Sequence, residues 1–457
     1  MFKSAQSLVC AALVFSGCTM IPKYEQPGSP VQSRYPQAAA TNECGTAEVA
    51  WSSFVLDERL RKLIDLALTN NRDLRVAVLN VEQSRAQYRV TRSASFPTVS
   101  ADGNLARSGG LTRGSPANTW SASLGSTAYE LDFFGRVRSR NRQALEKFLA
   151  TDEARRSSQI SVVSQVATEY FTLRQAEAQL ALAGQTLEAV SQSYDLNKAT
   201  FDAGASNEQD LRTAEGQVQT ARINVETYQR QIAQAQNALA LLLGQALPTG
   251  LPPAPQFAPT NLLADIPAGL PSELLQRRPD ILEAEHTLKA ANANIGAARA
   301  AFFPKITLTA SVGAKSSEFE KLFGSGTGVW SFSPDITLPL FTGGQNRADL
   351  DAAKVAARIE VANYEKAIQT AFREVADALV ARGSYAREIA LRATLAGAQQ
   401  RRSELANLRY RQGDDTYLNV LSAQQDLYSA QQGQIDALFN ALSSQISLYK
   451  ALGGGWR

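Results

Sequence analysis

The sequence predicts a mainly α-helical chain that carries a membrane β-barrel portion and is built twice from one unit. Three observations predict it. ASFPTVS at 94–100 is answered by AFFPKIT at 301–307, long proline-free stretches are rich in helix formers, and segments of alternating apolar and polar residues follow each Phe-Pro pair.

The chain opens with MFKSAQSLVCAALVFSGC, in which Lys3 precedes an apolar stretch from Leu8 to Phe15 and then Gly-Cys. This is the layout of an export signal rather than of structure. It resembles a bacterial lipoprotein signal, which implies that 1–17 is removed and that Cys18 becomes the lipidated first residue. Phe15 stands where that pattern usually has Leu, and an ordinary signal peptide with a chance cysteine is the other reading. Cys10 leaves with the signal and Cys44 has no partner, so no intrachain disulfide framework is expected. A formal charge of +3 without a basic stripe argues against nucleic acid as the main partner. Beyond the N-terminus no run of about 18 apolar residues exists, which excludes a spanning helix.

The repeat sets the organisation. Asn71-Arg-Asp-Leu answers Arg278-Pro-Asp-Ile, Leu131–Phe134 answers Leu338–Phe341, and FDAG ending at Gly204 answers YRQG ending at Gly413, at offsets of 207 to 209. An N-terminal segment at 18–56 therefore precedes repeat 1 at 57–246. A proline-rich linker at 247–270 joins it to repeat 2 at 271–453, and 454–457 form a tail. In each copy a short helix (Arg72–Ser93, Pro279–Phe302) precedes two strands, a long rod (Arg136–Phe201, Gly344–Arg409) and a returning helix (Ser206–Leu243, Asp415–Leu452). Val166, Leu173, Leu180, Leu187, Tyr194 and Phe201 recur every seven residues, the period of coiled-coil packing. At 1.5 Å per residue each rod spans about 100 Å, the returning helices about 57 Å and the short ones about 33 to 36 Å. Each rod then matches a stacked pair of shorter helices, as in the wall of a cylinder.

The strands occupy about 96–134 and 303–341. Ile306, Leu308, Ala310, Val312 and Ala314 alternate with Thr307, Thr309, Ser311, Gly313 and Lys315, and Trp330, Phe332, Ile336 and Leu338 alternate with Ser331, Ser333, Asp335 and Thr337. Apolar outside and polar inside, in segments of about ten residues flanked by aromatics, is the barrel pattern. A soluble antiparallel sheet packed on helices is the plainer alternative. The segment from Trp120 to Phe134 changes phase near Ser126, which a bulge would produce. Four strands close no barrel, since bacterial barrels start at eight, so a barrel here must be shared between copies.

The Gly-Cys signal, the following CTMIPKYEQP, STAYELDFFGRVRS at 126–139, LPLFTGGQNRA at 338–348 and the twin FDAG and YRQG breaks together resemble the outer-membrane factor family of Gram-negative bacteria. The likeness is to its TolC type, and within that to the lipoprotein branch typified by OprM and NodT. It implies a homotrimer with a twelve-stranded barrel in the outer membrane and a periplasmic helical tunnel. It also implies a belt from the N-terminal segment, the linker and the C-terminus. Pro97 and Pro304 would mark where helix gives way to strand, because proline disfavours helix in the residue before it; Gly135 and Pro339 would serve the return crossings. The implied periplasmic tip comprises Gly204, Ala205, Ser206 and Gly413, against which an adaptor docks. Asp210, Asp414, Asp415, Asn419 and Tyr410 would line the aperture, with the returning helices opening at Asp210 and Asn419. The TolC pattern has acids at the positions of Asn419 and Ser422, and this chain has neither. Helix capping is the plainer role for Asp210 and Asp415.

No catalytic, cofactor or metal constellation emerges. His286 stands among Glu283 and Glu285 as a solvated or packed helix residue, and Gly343-Gly344 reads as a strand-to-helix turn rather than a phosphate loop. Two functions remain. One is a passive export duct driven by an inner-membrane transporter, of the resistance-nodulation-division type, through a periplasmic adaptor. The other is a structural lipoprotein, for which a polar-lined barrel has no use.

Overall fold

The structure, a computed structural model, describes residues 19–32, 34–35, 50–109, 116–263 and 277–454. Cys10, Cys18 and Cys44 lie outside them, as do the signal segment 1–17, part of the linker and the last residues of the tail. In chain order the elements are α1 (Trp51–Phe54), α2 (Glu58–Asn70), α3 (Arg72–Ser93), β1 (Ser100–Ser108), β2 (Ala117–Glu130), α4 (Arg136–Asp202) and α5 (Glu208–Leu243). A 3-10 turn at Pro259–Asn261 follows, then α6 (Pro279–Ala300), β3 (Lys305–Ser316), β4 (Gly328–Thr337), α7 (Gln345–Arg411) and α8 (Tyr417–Ala451). Both rods therefore form uninterrupted, α4 and α7 at 67 residues each, as expected where no proline removes a backbone donor. No described helix is long and apolar enough to cross a membrane.

Several boundaries differ from expectation for local reasons. The last strand stops at Thr337 rather than Phe341, because its partner β3 begins at Lys305, opposite Thr337. The second stops at Glu130 rather than Phe134, where the chain turns into α4. The returning helices begin at Glu208 and Tyr417, not Ser206 and Asp415, since the intervening residues belong to the turns described below.

The chain divides into two compact units. The first gathers Met1–Gly28, Asn80–Glu153 and Glu283–Lys366. Its centre is an antiparallel sheet in the order β1-β2-β3-β4, so β1 and β4 each keep one free edge. Register places Leu105 opposite Trp120, Leu124 opposite Val312, Val312 opposite Trp330, Ala310 opposite Phe332 and Ile306 opposite Ile336. Asn104, Ser121 and Lys315 make up a row of the other face, as do Thr309 with Ser333 and Thr307 with Asp335. One face is thus apolar and the other polar, as the alternation requires. The phase change in β2 is a register shift between Ser126 and Tyr129, with Ala128 at φ 53° and its N–H donating to Thr309 Oγ1 at 3.1 Å.

The second unit gathers Ser29–Leu79, Ala154–Leu282 and Ala367–Arg457. Its core joins Leu60, Leu63 and Ile64 of α2, Val166, Tyr170, Phe171 and Leu173 of α4, Leu239 and Leu243 of α5, and Leu442, Ile446 and Tyr449 of α8. Two of the heptad positions, Val166 and Leu173, are therefore core. Phe54 stacks on Tyr449 at 4.3 Å, and Val55 bridges Leu262 of the linker. Asp57 caps α2 by accepting from Arg59 N and Leu60 N, and it also accepts the Tyr170 hydroxyl at 2.7 Å. The N-terminal segment, the linker and the chain's end thus meet on one core.

Candidate functional site

Two turns, both within the second unit, hold the residues expected at the tip. After α4, Gly204 N donates to Phe201 O at 2.8 Å and Ala205 N to Thr200 O at 2.9 Å; after α7, Gly413 N donates to Tyr410 O and Asp414 N to Arg409 O, both at 3.0 Å. These bonds satisfy carbonyls that the last helical turn leaves orphaned, and they require a left-handed residue just past the helix. Gly204 at φ 76° and Gly413 at φ 78° supply it. A β-carbon on either would meet nothing within 4 Å, so conformation selects glycine here and crowding does not.

The side chains around this shared backbone differ. In the first turn Asn207 caps α5: its Oδ1 accepts from Asp210 N at 2.9 Å and its Nδ2 donates to Asp210 Oδ2 at 3.0 Å. Asp210 is therefore the third residue of α5 and not its opening residue, inside the turn where the helix dipole favours an acid. In the second turn Thr416 occupies the cap position without a side-chain bond. Asp415 instead accepts from Thr416 N at 2.8 Å and from Asn419 Nδ2, and Arg409 Nη1 lies 3.7 Å from its other oxygen. The Asn419 amide first, and the Thr416 N–H next, hold the Asp415 carboxyl below its ordinary value. Asn419, the third residue of α8, thus makes an Asp415 contact. Asp414 and Ala205 are exposed, and Ser206 is half-buried.

Between the turns lies an aromatic centre. Tyr410 and Tyr417 have ring centroids 5.6 Å apart, and Tyr417 is buried with Ala214 and Val420 against Tyr194 and Ala406. Ser193 Oγ donates to the Tyr417 hydroxyl at 3.2 Å. Residues of α4, α5, α7 and α8 therefore converge here. Burial raises both phenols above their usual range, and the negative charge of Asp210 adds to the effect on each. An acid of the first repeat thus faces the tyrosines of the second.

The structure brings Asp210 together with Tyr410, and Asp415 together with Asn419, while Asp414 stays in the open. Sequence reasoning missed Asn207 and Arg409. Asn-x-x-Asp at 207–210 is a cap signature, and a basic residue in the last helical turn, as Arg409 is, commonly serves the helix end.

The expected junction residues lie in the first unit. Before Pro97, Ser95 N donates to Arg92 O and Phe96 N to Ser93 O; before Pro304, Phe302 N donates to Arg299 O and Phe303 N to Ala300 O. Both short helices thus tighten in the same way where the proline ends them. Gly135 at φ 75° admits the chain to α4, whose first N–H groups are taken by Asp132: Val137 N at 3.1 Å and Arg138 N at 2.8 Å. Pro339 lies in the segment between β4 and α7. His286, expected as a solvated or packed helix residue, is packed: its Nδ1 lies 2.6 Å from the buried Glu146 of α4.

A family model described as "Outer membrane efflux protein" matches residues 63–245 and again 270–454, once per repeat. The chain is 46% identical over 472 residues to the toluene efflux pump outer membrane protein TtgC of Pseudomonas putida, covering 100% of this chain and 96% of that one. It is 41% identical over 458 residues to the cation efflux system protein CusC of Escherichia coli, covering 98% of each. Among solved structures it is similar to the open state of the MtrE outer membrane channel of Neisseria gonorrhoeae, with a TM-score of 0.89 and 40% identity over 96% of this chain and 99% of that one.

Proposed function

Because this chain belongs to the outer membrane efflux protein family, we propose that it is the outer-membrane duct of a tripartite efflux system. One observation carries the reading: a four-stranded sheet with an exposed apolar face, a polar opposite face and two free edges. Lipid cannot satisfy open edges, so β1 of one copy pairs with β4 of the next until the sheet closes. Three copies give a twelve-stranded barrel, and Cys18 adds an acyl anchor in outer-membrane lipid.

In this reading the duct performs no chemistry. Energy comes from an inner-membrane transporter of the resistance-nodulation-division type, linked by a periplasmic adaptor that docks on the turns at Gly204, Ala205, Ser206 and Gly413. Cargo is drugs or other small molecules. Two relatives of comparable identity are named for toluene and for cations, which supports placing selectivity in the transporter and not in the duct. Asp210 and Asp414 hold the resting aperture, with Asp415, Asn419 and Tyr410 beside them. Native mass measurement of the detergent-extracted protein and conductance in a planar bilayer test the reading. A trimeric pore supports it, and a monomeric pore or no conductance overturns it. Replacing Asp210 and Asp414 together by Ala should raise resting conductance and lower cation preference; unchanged values would move the gate to Tyr410 and Tyr417.

A further inference from the structure

The start of α4 carries five cations, Arg136, Arg138, Arg140, Arg142 and Lys147. A basic helix start runs against the helix dipole. Three of the five are neutralised within the first unit: Arg136 pairs with Glu130, Arg138 with Asp132 at 3.3 Å and Arg142 with Glu146 at 2.6 Å. Among the described residues Arg140 and Lys147 have no ion-pair partner, and both line one groove of about 680 Å³ between α3 and α4. No carboxylate lines it. Its other walls are the carboxamides of Asn80, Gln83, Gln87 and Gln143, hydroxyls of Ser84 and Thr91, and the Tyr88 ring, which stacks on Phe148 at 6.4 Å.

The spacing points to the shape of the ligand. Seven residues are nearly two helical turns, so Arg140 and Lys147 share a face about 10 Å apart along the axis. An occupant with negative groups at that separation meets both cations, and hydroxyls between them pair with the carboxamides. The flat Tyr88 ring suits the C–H face of a sugar. Ala144 is the one wholly aliphatic side chain of the lining, and every other one carries a polar group that an acyl chain would leave unpaired. We propose that this groove is a binding site for an acidic saccharide, with Arg140 and Lys147 each meeting one anionic group.

The test uses the purified full-length protein in detergent and tetragalacturonic acid as the probe, with binding followed by calorimetry. Saturable binding is expected, weakening as salt rises because both cations are exposed. Arg140→Gln with Lys147→Gln should raise Kd tenfold or more. Arg401→Gln, an exposed cation of α7 paired with Glu404, should leave it unchanged. Neutral maltotetraose should not bind. Gln83→Ala with Gln87→Ala should weaken the saccharide severalfold while leaving the pore's conductance as it was, which separates loss of the site from loss of the fold. Absence of saturable binding, an equal loss in the Arg401 variant, or pyrophosphate binding as tightly as the saccharide would each overturn the proposal. So would binding of phosphatidylglycerol, supplied in mixed micelles with the detergent, in place of the saccharide.

Discussion

In the second unit Phe54, Leu60, Tyr170, Phe171 and Leu239 are each 1% exposed or less. In the sheet of the first unit Trp330 is 79% exposed, Ile336 67% and Phe332 61%. These side chains have the same chemistry and opposite surroundings. The helical core hides its apolar surface within the chain, where each buried large side chain contributes roughly 1.5–3 kcal/mol. The sheet does not do so: among the described residues Trp330, Ile336, Phe332 and Val312 of its apolar face stay largely exposed. A contiguous apolar face of this kind marks contact with something other than water. Exposure in a single chain is therefore informative only with the chemistry of what is exposed.

The comparison breaks most readily in the core. Phe171→Ala should cost about 3–5 kcal/mol, because the cavity lies among Tyr170, Phe257 and the α2 leucines that hold the unit together. Urea unfolding followed by helical circular dichroism measures it. Phe332→Ala should leave that transition where it was. Equal shifts for the two would mean that the sheet residue is also packed within its own chain.

A charge on the sheet sharpens the contrast from the other side. Phe332→Arg should cost about 2–4 kcal/mol if the apolar face meets the middle of a bilayer. Ser331→Arg, one residue away on the polar face, should cost far less, since alternate residues point to opposite faces. Titrating the folding of each variant into lipid vesicles decides it, and comparable losses would show that the faces are wrongly assigned.

What was legible in the sequence was what is local or periodic. Alternation revealed both faces of the sheet, the missing prolines revealed the rods, and FDAG and YRQG revealed the turns. The bulge showed only as a change of phase, because nothing local announces Ala128 at φ 53°. Contacts between distant segments left no trace. His286 sits beside Glu283 and Glu285, yet its partner is Glu146, on another helix. The groove with Arg140 and Lys147 was hidden as well, since the matching lengths set the short helix beside the rod without saying which side chains of the two line a groove.

The turns stand between the two extremes: exposed like the sheet, but with polar residues that suit water. Their sensitivity should come from the backbone alone. Gly204→Ala and Gly413→Ala should each cost about 1–2 kcal/mol, the penalty for a β-carbon in the left-handed region. Thermal unfolding of the two variants should agree with each other, because both sites have the same angles and open space around them. A clearly larger loss at one would mean that its side chain meets a neighbouring copy.

The smallest effect separates the turns by chemistry. Asp415 is an ionised acceptor for Thr416 N–H and Asn419 Nδ2, with its carboxyl held below the ordinary value. A depressed folded-state value means that its contribution is fully present above the unfolded value, about 3.9, and is lost as pH falls through the lower folded one. The first turn uses the neutral Asn207 carbonyl to hold the Asp210 N–H, and that acceptor does not titrate. Hydrogen exchange, corrected for the intrinsic pH dependence, should therefore show amides of 414–419 losing protection below about pH 4, while those of 205–210 keep theirs. Asp415→Asn should abolish the difference between the turns. If both loosen together in the parent protein, acid acts on something the two turns share, and the Asp415 contacts do not order the second turn.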